Sequence, residues 1–86
     1  MSHYQFHIRE DGHVFEDDEG RDFTTSEAAR QEAVATGAAI ARDAFVSGQA
    51  QQVVIQVDRD GSPFVKVSIS LDVEEQPALP RALTTN

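Results

Sequence analysis

Three histidines, a run of four acidic residues and several serines are the groups in this 86-residue chain whose types could do chemistry. His3 and His7 fall on one face of an alternating segment, but four residues of extended chain hold them about 13 Å apart, too far to share one ion. His13 follows an Asp11-Gly12 turn, and no register of that turn sets it beside His7. There is no His-Glu-x-x-His spacing. The histidines therefore predict no metal centre, and His7 is expected to pair across strands with Glu16. Glu16, Asp17, Asp18 and Glu19 form an acidic turn that could hold a hard cation loosely. It lacks the Asp-x-Asp-x-Asp-Gly spacing of a calcium loop, so a solvated turn is the simpler reading. Ser26, Ser47, Ser62, Ser68 and Ser70 have no Gly-x-Ser-x-Gly setting. No glycine-rich phosphate loop is present, and paired carboxylates occur in exposed, turn-like places where a raised pKa is not expected. No catalytic residue, metal or cofactor is assigned on these grounds.

Composition narrows the classes further. Fifteen acidic against seven basic residues give a net charge of −8, which repels a phosphate backbone and argues against nucleic acid as a partner. With no cysteine there is no disulfide frame and no thiolate metal site. No apolar run approaches the roughly 18–20 residues that span a membrane, and Met1-Ser2-His3-Tyr4 lacks the pattern of a signal peptide. A cytoplasmic protein is expected. The length suggests one thin-cored domain, of the kind that often gains stability by oligomerising.

The elements that would position these groups follow from periodicity. His3–Arg9 alternates, with Tyr4, Phe6 and Ile8 on one face. A two-residue Asp11-Gly12 turn would pair Ile8 with Phe15 and Arg9 with Val14. Arg21–Phe23 reads as a short extended piece. Thr24–Gly48 is the one long helical pattern. Thr24 is the expected N-cap, with Glu27 completing a capping box and Thr25 as the competing cap. Ser47-Gly48 supplies the stop. Ala29, Ala33, Gly37, Ile40, Ala41 and Ala44 form one stripe of small residues, widened by Val34, Ala38 and Phe45, which would let the helix approach a sheet closely. Gln52–Asp58 and Phe64–Leu71 are two further strands. Their core residues are all odd-numbered, so a two-residue Asp60-Gly61 turn would bury Lys66 opposite Ile55. A three-residue loop, Arg59-Asp60-Gly61, pairs Val57 with Pro63 and avoids this. The expected fold is α+β: two β-hairpins in one antiparallel sheet with a helix on one face, ββαββ, over residues 1–71. Residues 72–86 read as a flexible tail.

Three stretches carry a family likeness: the strand His3-Tyr4-Gln5-Phe6-His7-Ile8-Arg9, the turn Asp18-Glu19-Gly20 and the helix Glu27-Ala28-Ala29-Arg30-Gln31-Glu32-Ala33. With Asp60-Gly61 before a last strand, they resemble a family of small alphaproteobacterial proteins of unknown function. Its members typically open with a Tyr-Phe-Phe-His strand and carry an acidic Glu-Gly turn before a Glu-Ala-Ala-rich helix. The likeness covers residues 3–71. Gln5 departs from the apolar residue usual at its place, which suits an outward position. The order of elements is also similar to HicB-type antitoxins. No established activity comes with the first likeness.

These observations favour a non-catalytic binding or structural module, acting as a homodimer or through a protein partner. An open sheet face carrying Val14, Val54 and Phe64 is one candidate interface. Another is a helix overhang at Phe45 and Val46, since a helix of about 34 Å outruns strands of about 20–23 Å. One alternative is an antitoxin-like regulator masking a basic partner; another is a small enzyme or weak cation binder.

Overall fold

The computed structural model describes residues 1–78. In chain order the elements are β1 (Ser2–Glu10), β2 (His13–Phe15), β3 (Arg21–Phe23), α1 (Ser26–Ser47), β4 (Gln52–Arg59) and β5 (Ser62–Ser70). They form the expected α+β arrangement, an antiparallel sheet with one helix packed against it. The sheet has five strands, in the order β2-β1-β4-β5, and β3 pairs with β1 as well. β2 and β3 share the outer edge of β1: β2 pairs with Ile8–Glu10 and β3 with Ser2–Tyr4.

The helix is capped by Thr25 rather than Thr24, its Oγ1 accepting from the Ala28 N–H at 3.1 Å, so no capping box forms with Glu27. Phe23 sets this frame. Its ring is held edge-on against Tyr4 and Phe6, which keeps the chain extended for one more residue. Ala29, Ala33, Gly37, Ala41 and Ala44 are the buried stripe. A Cβ at Gly37 would lie 3.1 Å from Ile55 Cγ1 and 3.3 Å from Ile69 Cδ1, so this glycine marks close packing of helix on sheet. The sheet supplies the bulk in return, with Tyr4, Phe6, Val53, Ile55 and Val57 all buried.

The register of β4 against β5 corrects the expected three-residue loop. Arg59 pairs with Ser62 across a two-residue Asp60-Gly61 turn, and the register then shifts between Val57 and Asp58, so that Val57 meets Val65 and Ile55 meets Val67. The parity requirement holds, but a β-bulge at Phe64 meets it instead of a longer loop. Asp60 and Gly61 both have positive φ, 50° and 86°, as a primed hairpin turn demands. The bulge turns Phe64 to the helix side, where its ring packs edge-on against Tyr4 at 5.6 Å.

Two aspartates tie the turns to neighbouring strands. Asp11 accepts from the Gln51 and Gln52 N–H groups at the start of β4. Asp60 accepts from the His3 N–H, and its own N–H donates to the His3 carbonyl. The strands are longer than expected. Nine residues of β5 reach about 30 Å against about 33 Å for the 22-residue helix, so little helix overhangs. Phe45 packs on the margin of the core, while Val46 stays exposed. Residues 71–78 have no regular structure, and the remainder of the expected tail, 79–86, lies outside the described residues.

Candidate functional site

The densest side-chain network lies on the outer edge of β1, between the segments that β2 and β3 cover. There the backbone of residues 5–7 has no strand beside it, and the acidic loop fills the gap. Asp17 does most of this. Its Oδ2 accepts from the Phe6 N–H at 3.0 Å, and its Oδ1 accepts from the Gly20 N–H at 2.9 Å and the Glu19 N–H at 3.2 Å. One carboxylate thus stands in for a missing stretch of ladder. The polar side chains of β1 fold onto the same loop. Gln5 Nε2 donates to the Asp17 carbonyl, and His7 Nδ1 accepts from the Asp17 N–H at 3.2 Å. His7 Nε2 lies 3.3 Å from Asp58 Oδ2. The tautomer with its proton on Nε2 satisfies both contacts. His7 therefore pairs with Asp58 and the loop backbone, not with Glu16, because β2 ends at Phe15 and the chain leaves the ladder there.

His3 closes the far end of the loop. Its Nδ1 is 2.8 Å from Asp22 Oδ1 and its Nε2 is 2.7 Å from the Glu19 carbonyl. Two acceptors on one ring are both satisfied only by the imidazolium. The Asp22 carboxylate first, and the Glu19 carbonyl second, hold the His3 pKa above its ordinary value. Asp17 moves the other way. Partial burial opposes its ionisation, but the N–H groups of Phe6, Gly20 and Glu19 outweigh that and hold its pKa below the ordinary value.

The two shifts bound a pH window. Asp17, depressed, adds stability that is present above its ordinary value near 3.8 and is lost as pH falls through the lower folded value. His3, raised, adds stability that is present below 6.5 and is lost as pH rises through the higher folded value. Amide exchange at Phe6, Glu19 and Gly20, corrected for intrinsic rates, is expected to slow most inside this window. Asp17→Asn should abolish the acid limb while leaving the alkaline limb. An acid limb unchanged in Asp17→Asn would remove Asp17 from this role.

Chemically this is a latch. Asp17, His3 and His7 spend their polar atoms on the protein itself, which leaves neither histidine with a free ring nitrogen for proton transfer. Among the described residues no group of three His, Asp or Glu side chains converges as a metal-ligand set. In the acidic turn Asp17 is committed to backbone N–H groups, whereas Glu16, Asp18 and Glu19 are exposed. The latch was missed in the sequence, though a signal was there: polar His3, Gln5 and His7 at alternate positions of a strand that precedes an acidic turn.

The remaining surfaces are a sheet face and a strand edge. On the face away from the helix, His7, Arg9, Val14, Val54, Gln56 and Lys66 line a groove of about 210 Å³, below the size usual for small-molecule sites. The patch expected from Val14, Val54 and Phe64 is not one surface: Val14 is exposed, Val54 is buried, and Phe64 lies on the opposite side because of the bulge. At the edge, β5 has no strand on its outer side among the described residues. Between it and the helix runs a groove of about 440 Å³ lined by Ser26, Glu27, Arg30, Phe64 and Val65.

These features define an α+β module with a latched acidic loop at one sheet edge and an unpaired strand at the other, and no helix long and apolar enough to cross a membrane among its described residues. The chain belongs to the family described as a domain of unknown function, DUF6894, which matches residues 3–70. No curated protein and no solved structure matches it.

Proposed function

We propose that this protein is a non-catalytic interaction module that works by self-association or by holding a protein partner. One observation carries the reading: the two sheet edges are treated differently. The β1 edge is covered by two three-residue strands and an acidic loop, devices that discourage further pairing. β5 is nine residues long; Pro63 and the bulge at Phe64 blunt its first third, but Val65–Ser70 run on as regular edge strand with a single charged residue, Lys66. An edge left open in that way is a template for another strand. A second reading, masking of a basic partner in the manner of an antitoxin, draws on the exposed carboxylates of Glu16, Asp18 and Glu19 beside the latch. The family resemblance carries a bacterial setting with it.

Native mass spectrometry on untagged protein, purified gently from its own host, tests this. Multiples of the chain mass, or the chain with a second polypeptide, are expected; a basic polypeptide favours the second reading. A lone chain carrying a retained metal or small molecule would overturn the proposal.

A further inference from the structure

We infer that the occupant of the β5 edge is a second copy of this chain, paired antiparallel about a two-fold axis at Val67. This rests on the reading of the protein as an interaction module. The Leu71 N–H donates to the Gln51 carbonyl, which fixes which way the strand's backbone faces. Successive residues alternate sides, so Val65, Val67 and Ile69 turn their backbone groups to β4, while Lys66, Ser68 and Ser70 offer theirs to the open edge. An axis at Val67 makes Val67 a non-hydrogen-bonded pair with itself. It is flanked by Lys66 and Ser68 of opposite copies, each pair exchanging two backbone hydrogen bonds. Val65 then meets Ile69 of the second copy on the helix side. An axis at Lys66 would instead set two ammonium groups face to face, which is destabilising.

The helix selects the same axis independently. Arg30 and Val65 line one groove, and a Cβ at Gly37 would meet Ile69, so the helix runs alongside β5 and Val34, between the two, stands level with Val67. Val34 is 50 % exposed on the helix flank that overlooks the β5 edge. A two-fold axis at Val67 brings Val34 towards its own copy and buries both; an axis at Ser68 leaves them out of step. Arg30 comes level with Ala38 of the second copy, so the helix flanks meet without opposed like charges. The charge distribution permits the approach. β5 contains no acidic residue, whereas Glu16, Asp17, Asp18, Glu19 and Asp22 sit at the opposite edge of the sheet. Two chains of net charge −8 can therefore meet along their least acidic margin.

Two variants test the interface. Ser68→Pro removes an N–H that faces the open edge and leaves the β4 ladder whole. It should keep the circular dichroism spectrum and weaken the dimer about 30-fold or more in sedimentation equilibrium, since the symmetric interface loses two hydrogen bonds. Val67→Cys places two sulfurs across a pair whose Cα atoms are about 4.5 Å apart, within disulfide range. Oxidised glutathione should link it into a covalent dimer, while Val65→Cys, four residues out of register with itself, should stay unlinked. A wild-type dimer that survives Ser68→Pro overturns this interface yet leaves the module reading standing. A wild-type chain that remains monomeric at high concentration overturns self-association altogether.

Discussion

Gly20→Ala is expected to destabilise the protein by about 2–4 kcal/mol and to release the acidic loop from β1. Gly20 has φ of 72°, which an alanine adopts only under strain. The larger effect is steric. A Cβ there would stand 2.5 Å from the Tyr4 carbonyl oxygen and 2.6 Å from His3 Nε2. The first is backbone of a central strand and cannot step aside, so the loop must move. Moving it draws Asp17 away from the Phe6 N–H and Glu19 away from His3, so the latch fails as a unit. Urea unfolding measures the cost, and exchange at the Phe6 amide reports whether the Asp17 contact has opened. Gly12→Ala is the matched control: nothing lies within 4 Å of its added Cβ, and a change within about 0.5 kcal/mol is expected. Equal effects at the two glycines would mean that the loop is not seated against β1.

How far such features are legible in sequence depends on the range of the interaction. The alternation of Tyr4, Phe6 and Ile8, the Asp-Gly turns and the Ala29–Ala44 stripe are local patterns, and the fold class followed from them. The pairing of Ile8 with Phe15 followed as well, because a two-residue turn leaves one register. The bulge did not. Parity showed that residues 57 and 65 had to end on one face, but either an extra loop residue or an extra strand residue satisfies parity. The choice falls to Tyr4, which offers Phe64 an aromatic neighbour on the helix side. The latch was hidden for a similar reason. Asp17 looked like one of four equivalent acids until the gap between β2 and β3 offered it the Phe6 N–H, beside the Glu19 and Gly20 N–H groups of its own loop. The cap moved from Thr24 to Thr25 because Phe23 is held by distant rings, which no window of neighbouring residues contains.

Tyr4 is where those long-range constraints meet, and Tyr4→Ala should unfold the domain at room temperature. The side chain is 1 % exposed. Phe23 stands edge-on to it at 5.7 Å from one side, and Phe64 at 5.6 Å from the other. Truncating a buried aromatic costs about 3–5 kcal/mol, a total that takes in lost burial, the cavity left behind and the two edge-on contacts that go with the ring. A domain of this size has a total stability of order 5 kcal/mol. The loss is also not confined to one place. Phe23 sets the frame in which the helix starts, and Phe64 occupies the bulge that brings β5 into register, so both the helix entry and the edge strand lose their support together. Tyr4→Leu separates the two contributions: it keeps most of the apolar volume but loses the ring geometry, and should fold with an intermediate midpoint in urea. Val14→Ala, at an exposed site, should leave the midpoint almost unchanged. If Tyr4→Ala unfolds no more easily than Val14→Ala, the aromatic cluster is not what joins the helix to the edge strand.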